Sequence, residues 1–313
     1  MELDGEDCKA KDLVLVYSRG EKKNVIDNVI VIVVHSVVGA AATVVLPNIV
    51  FILADDAGFN DFGFTKGVLA PIAEFTGPQA LTPQIDVLAN SGIILANAYA
   101  YRYCSPTRGA LLTGRLPFHG HEKNPGIASP GCANLNYTMI PAKLRDAGYR
   151  SFHVGKWHEG IQSKECLPVN RGFDHSFGYL SGAEDHVDQT VEANEKGPCA
   201  DPTLTPYNRS CAEAKRGGGC VDLWRDHGPA HGENGTYNAY AFTQEAERRI
   251  AEHAALGTPG GLSEILIFTY SLSEMLHLLS FFRCATAAAV RLHRFPERSR
   301  PLRSADEIPQ SLP

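Results

Sequence analysis

Three short segments of the chain carry side chains that could converge on one anionic centre. Cys104-Ser105-Pro106-Thr107-Arg108 offers a sulfur at residue 104 and a guanidinium at residue 108, with Pro106 fixing the backbone between them. A guanidinium there could hold negative charge as it develops on a group attacked at residue 104. Asp55 and Asp56 close the apolar run Pro47-Asn48-Ile49-Val50-Phe51-Ile52-Leu53-Ala54, which reads as a buried central strand. In an open α/β sheet the carboxyl end of such a strand is where ligands bind, and two adjacent carboxylates suit a hard divalent cation. Lys156 and His158 follow the strand pattern Tyr149–Val154, so in a parallel sheet they fall at the same edge as Asp55, Asp56 and Cys104. They would bring an ammonium for an anion and an imidazole for proton transfer. His153 faces the other way along its strand and reads as structural.

The elements that must position these groups are legible from periodicity. Thr82–Gly92 has a proline at its start, Ile85, Leu88 and Ala89 on one face and a closing glycine, the pattern of a short amphipathic helix. Ile93–Tyr103 is expected as a strand that delivers Cys104, and Gly109–Thr113 as the start of a helix whose N-terminus favours anions. Ile140–Ala147 reads as a helix capped by Gly148, ahead of the strand Tyr149–Val154. Tyr240–Ala254 is a helical pattern with Ala241, Phe242, Ala246 and Ile250 inward and Glu245, Glu247, Arg248 and Arg249 mostly outward. Strands alternating with helices indicate an α/β fold.

Composition narrows the partners. With 313 residues, 44% hydrophobic and 20% charged, the chain is globular in type, and its net charge of -6 argues against a nucleic-acid partner. A small-molecule or glycan-sized substrate fits better. Eight cysteines at irregular spacing form no zinc pattern and suit oxidised pairs. Asn136, Asn208 and Asn234 each begin an N-x-[ST] triplet, consistent with a glycosylated luminal chain. Val29–Leu46 is apolar except for His35, Ser36 and Thr43, and follows Lys22 and Lys23. It reads as a signal peptide, as an uncleaved signal anchor, or as buried strands rich in β-branched residues.

Cys104-Ser105-Pro106-Thr107-Arg108, with Leu112-Thr113-Gly114-Arg115 behind it, resembles the signature segment of the sulfatase family. Gly148-Tyr149-Arg150-Ser151-Phe152-His153-Val154-Gly155-Lys156-Trp157-His158 resembles the family's second signature. Lys164-Glu165-Cys166-Leu167-Pro168, Arg171-Gly172-Phe173-Asp174 and Gly182-Ala183-Glu184-Asp185 are similar to the arylsulfatase B, I and J subgroup. The resemblance implies an alkaline-phosphatase-like α/β sandwich with a large, mixed, mostly parallel sheet flanked by helices. It implies that Cys104 is oxidised to formylglycine by the formylglycine-generating enzyme, and that one hydroxyl of the hydrated aldehyde attacks sulfur while deprotonation of the other expels sulfate. By the same resemblance Arg108, Lys156 and His158 are catalytic, Lys156 also contacts the sulfate, and Asp55, Asp56 and the residue-104 oxygen hold calcium, or magnesium. It further implies the pairings Cys132–Cys166 and Cys199–Cys211. The substrate it implies is an aryl sulfate or a sulfated glycan, and the place the secretory pathway, lysosomal or extracellular, with membrane attachment if the apolar N-terminal segment stays uncleaved. Members of the wider superfamily that act on phosphate esters use serine or threonine where this chain has Cys104.

These readings divide the chain into an N-terminal extension with a signal peptide or anchor (1–46), an incomplete sulfatase catalytic domain (47–256) and a divergent, disordered tail (257–313). Within the last segment Ile265–Tyr270 could be a strand. His277 is a candidate substrate-binding residue by order, although Leu276–Phe282 reads equally as an apolar helix. The family's Asp-Asn pair and second lysine have no counterpart after His277. Fewer cation ligands and less charge on the sulfate predict weak or absent turnover for the chain as written. The alternative is a non-catalytic module that binds sulfated glycans through Arg108, Lys156 and His158.

Overall fold

The computed structural model describes residues 12–18, 29–35, 48–57, 61–65, 81–124, 132–161, 163–191, 220–255 and 263–271. Eleven strands are present among them: β1 (Asp12–Ser18), β2 (Val29–His35), β3 (Asn48–Asp55), β4 (Ile93–Ala98), β5 (Tyr149–Gly155), β6 (His175–Tyr179), β7 (Thr190–Val191), β8 (Cys220–Val221), β9 (Leu223–Arg225), β10 (Gly228–Pro229) and β11 (Ser263–Ser271). Nine of them form one sheet in the order β10-β9-β6-β5-β11-β3-β2-β1-β4, and β7 pairs with β8 apart from it. The middle of the sheet is parallel, β6 with β5, β5 with β11 and β11 with β3, and the flanks add antiparallel pairs. Parallel strands put their carboxyl ends on one edge, so β3 and β5 deliver Asp55 and the residues after Gly155 to the same side.

Among the described residues four α-helices accompany the sheet: α1 (Pro83–Asn90), α2 (Cys104–Thr113), α3 (Ile140–Asp146) and α4 (Asn238–Ala255). The period-2 alternation of β3 divides them between two faces. Ile52 and Ala54 join Phe152, Val154 and Phe177 under Ile85 and Ala89 of α1 and Phe242 and Ala246 of α4. Phe51 and Leu53 point the other way, toward Leu112 of α2, Met139, Trp157 and Phe173. The protein is thus an α/β sandwich whose two cores meet through one sheet.

Several boundaries differ from the sequence expectation. The strand before Cys104 ends at Ala98, and α2 begins at Cys104 itself, five residues ahead of Gly109. Pro106 allows this, because a proline in the first helical turn removes only an N–H that has no partner inside the helix. Of the three readings of the apolar N-terminal segment, the structure draws a strand over Val29–His35, paired antiparallel to β3. The boundary after residue 46 therefore does not separate an extension from the sheet, since β1 and β2 lie in it. The boundary at Gly257 moves as well: Ser263–Ser271, assigned to the tail, is strand β11 in the middle of the sheet, where its β-branched and aromatic run pairs with both β3 and β5. On α4, Glu245 and Arg249 are buried, contrary to the outward reading. Glu245 is taken up by ion pairs with Arg225, Arg248 and Arg249 at 2.6–2.8 Å.

Phe242 is fully buried with its ring 5.7 Å from that of Phe177, nearly perpendicular. Phe242→Ala should lower stability by about 3–5 kcal/mol, measured as a shift in urea midpoint. A loss under about 1 kcal/mol would show that α4 does not close this core.

Candidate active site

Asp55 is the hub of the site. Its Oδ2 lies 2.7 Å from Lys156 Nζ and 3.1 Å from Arg108 Nη2, and all three side chains are buried. Burial pushes the Asp55 carboxyl up, and the charges of Arg108, Lys156 and His158 outweigh it, so its pKa lies below the ordinary value. Arg108 donates a second bond through Nη1 to the Lys156 carbonyl at 2.6 Å. One guanidinium on α2 thus fixes both the end of β3 and the start of the loop after β5. The other oxygen of Asp55, Oδ1, is buried with no hydrogen-bond partner. Beside it Asp56 is exposed, with a positive φ of 57°. Partial desolvation and the neighbouring Asp55 carboxylate raise its pKa, against the pull of Lys156 and Arg108.

The loop after β5 is set by backbone bonds rather than by helix or strand. Trp157 and His158 donate their N–H groups to the carbonyls of Tyr179 and Leu180 at 2.9 and 3.2 Å. His158 adopts a left-handed φ of 53°, and its carbonyl accepts a bond from the Ser105 hydroxyl at 2.5 Å. Ser105, fully buried, therefore ties the first turn of α2 to the histidine. Cys104 is the first residue of α2, a free thiol, half-buried, with the extended Tyr103 before it. Gly182 closes the other side of His158: a Cβ there would stand 2.4 Å from the imidazole Cε1.

Underneath, His153 takes the structural part assigned to it. It is buried between Trp157 and Phe173 edges, bonded to Ser176 Oγ and to the Lys156 carbonyl, and burial lowers its pKa to about 3. Trp157 donates Nε1–H to the carbonyl of Cys166, and Cys166 is bonded to Cys132 with Cα atoms 5.9 Å apart. The Cys199–Cys211 pairing and His277 lie outside the described residues.

Of Asp55, Asp56, Cys104, Arg108, Lys156 and His158, expected at one sheet edge, the structure joins Arg108 and Lys156 directly through Asp55, and Ser105, next to Cys104, to the His158 carbonyl. Among the described residues no group of three or more His, Cys, Asp or Glu side chains is arranged to hold a metal ion. The chemistry of Asp55 and Asp56 nevertheless fits part of a cation shell. A buried carboxylate oxygen without a partner, beside a second carboxyl whose pKa is raised by desolvation and by its neighbour's negative charge, is the kind of oxygen pair whose repulsion a divalent ion would relieve.

Sequence reasoning missed Ser105, Gly182 and Glu159. Glu159 follows His158, is buried against α2 at Gly109, and lies 3.8 Å from His121 Nε2. Burial raises its pKa well above the ordinary 4.5, although Arg108 and Arg171 act in the opposite sense. Its only signal in the sequence was a carboxylate immediately after Trp157-His158, a place flanked by buried residues.

The family model for sulfatases matches residues 47–210, more than half of the chain. This chain belongs to the sulfatase family. Mouse arylsulfatase J is 32% identical over 210 residues, 66% of this chain and 30% of that protein. Pig N-acetylgalactosamine-6-sulfatase is 36% identical over 143 residues, covering 42% and 25%, and human arylsulfatase A is 32% identical over 179, covering 56% and 30%. The chain spans less than a third of the length of these relatives. Among solved structures, Ps i-CgsB in complex with k-i-k-neocarrahexaose superposes with a TM-score of 0.50 at 21% identity, over 71% of this chain and 44% of that one, a likeness of fold.

Two outcomes are expected. Gly182→Ala should displace the His158 ring and leave the fold intact, read as a shifted His158 imidazole resonance in NMR with an unchanged urea midpoint; an unmoved resonance would contradict the packing. Glu159 binds a proton in the folded chain that the unfolded chain releases above about pH 4.5. Its folded pKa is raised, so stability is greatest below that value and falls as pH rises. Glu159→Gln should therefore raise the urea midpoint at pH 8 and leave it nearly unchanged at pH 4.5. A shift equal at both pH values would place the effect in packing rather than in the proton.

Proposed function

We propose that the protein is a sulfuric ester hydrolase of the arylsulfatase type, acting on sulfate esters of glycans through formylglycine at residue 104. The observation that carries this reading is the buried triangle of Asp55, Arg108 and Lys156 beside the first residue of α2. It offers two cations, oriented by one carboxylate, to the singly charged sulfate group of an ester, one of them on the helix that begins with residue 104. The relatives named for arylsulfatase and N-acetylgalactosamine-6-sulfatase activity support a sulfated sugar as substrate.

Each residue has a part. Arg108 and Lys156 hold sulfate oxygens and the charge that accumulates on the leaving oxygen. Both are pre-oriented by Asp55, so little reorganisation accompanies the reaction. His158, fixed by the Ser105 hydroxyl and Gly182, holds or moves a proton at the residue-104 oxygen. Asp55 and Asp56 would hold calcium or magnesium together with the residue-104 oxygen, and the ion would supply Lewis-acid polarisation of the sulfate. The formylglycine hydrate supplies the attacking hydroxyl and the second hydroxyl that releases sulfate. Formylglycine-generating enzyme is the maturation partner this reading calls for, and the chain would then mature in the secretory pathway, for delivery to lysosome or exterior. The triplets at Asn136 and Asn234 are exposed, as glycan attachment there would need. Among the described residues no helix is long and apolar enough to cross a membrane.

The test is expression of the full chain with the generating enzyme, followed by peptide mass spectrometry across Cys104 and hydrolysis of an aryl sulfate with calcium or with chelator. Conversion of Cys104, calcium-dependent hydrolysis, and a loss of about 10²–10³ in kcat/KM on Lys156→Ala are expected. An unconverted Cys104 with sulfated-glycan binding intact and no hydrolysis would replace the enzyme with a binding module.

A further inference from the structure

We infer that Arg102, clamped between Tyr101 and Tyr103, is a specificity-determining residue that receives an anionic substituent on the sugar next to the sulfated one. The inference rests on the sulfatase reading and concerns residues that the catalytic machinery leaves unused. Arg102 is exposed, and its guanidinium lies 5.9 Å from the Tyr101 ring centroid and 5.0 Å from that of Tyr103. Among the described residues no carboxylate pairs with it. A guanidinium that stays charged within cation–π distance of two rings still has N–H donors free for an anion, the chemistry that takes a carboxylate or sulfate.

The strip is part of the same rigid body as the nucleophile position. Thr107 on the first turn of α2 donates its hydroxyl to the Tyr101 carbonyl at 2.7 Å and its N–H to the Tyr103 carbonyl at 3.1 Å. The Tyr101 hydroxyl reaches Glu122 at 3.4 Å, and the Ser105 N–H donates to Asn124 Oδ1 at 3.0 Å, so the neighbouring loop is tied to the strip as well. Tyr103 is extended, which sets the Arg102 Cα about 7 Å along the chain from that of Cys104. Tyr99 and Tyr103 are 62% and 42% exposed, leaving apolar ring surface for the C–H face of a pyranose beside the charge.

Hydrolysis is compared for three sulfated disaccharides that differ only in the neighbouring sugar: neutral, bearing a carboxylate, or bearing a second sulfate. The native chain should favour one or both anionic forms over the neutral one by about fivefold to tenfold in kcat/KM, as for a solvent-facing ion pair. Arg102→Gln should abolish that ratio, Arg102→Lys should retain part of it, and added salt should shrink it only where residue 102 is cationic. Which anionic form is favoured distinguishes carboxylate from sulfate recognition. A ratio unchanged by Arg102→Gln overturns the inference. If no disaccharide is cleaved, the same three are titrated calorimetrically against the native chain and Arg102→Gln. A preference lost in the variant then upholds the subsite and counts against the hydrolase alone, and equal affinities overturn the subsite.

Discussion

A single carboxylate oxygen, Asp55 Oδ2, organises the site. Two buried cations from different elements meet on it, and neither would tolerate that depth without a counter-charge. Removing Asp55 would leave Arg108 and Lys156 facing each other in a dry environment, and this repulsion, rather than lost packing, would drive the failure. The same arrangement ties α2, β3 and the loop after β5 into one unit. Arg108 also bonds the Lys156 carbonyl, and His153 below bonds that carbonyl from the core side.

Two other buried ionisable groups flank the hub. His153 sits among Trp157, Phe173 and a serine, and burial lowers its pKa to about 3, while burial against α2 raises that of Glu159 well above the ordinary value. Both shifts favour the uncharged form, and the charges that meet at the hub are those of Arg108, Lys156 and Asp55.

Much of this was legible in the residues, and for a physical reason. Asp55, Asp56, Lys156 and His158 follow apolar strand patterns, and the end of a parallel strand is fixed by the pattern that precedes it. Helices α1, α3 and α4 likewise announced themselves through proline, glycine and apolar spacing. What stayed hidden depended on partners distant in sequence. Glu245 and Arg249 read as surface charges because nothing local indicates that Arg225 comes to meet them. Helix α2 starts at Cys104 rather than at Gly109 because the first helical turn accommodates Pro106. Gly182 gave no sign of its task, since only the fold brings the His158 ring against it. The β-branched segments near both ends of the chain were ambiguous between leader, tail and strand until pairing with β3 and β5 resolved them.

The placement of β11 has a consequence for the time at which the site comes into being. Asp55 on β3 and Lys156 after β5 are not on adjacent strands; β11 lies between them, with Ser271 opposite Asp55 and Thr269 opposite Gly155. During synthesis the two halves of the site therefore exist long before the strand that spaces them leaves the ribosome. Until then the edges of β3 and β5 that face β11 lack their partner strand. Assembly of the charge cluster is thus a late event in the life of the nascent chain, and chaperone protection of those two edges would matter most in the interval before residue 271 emerges.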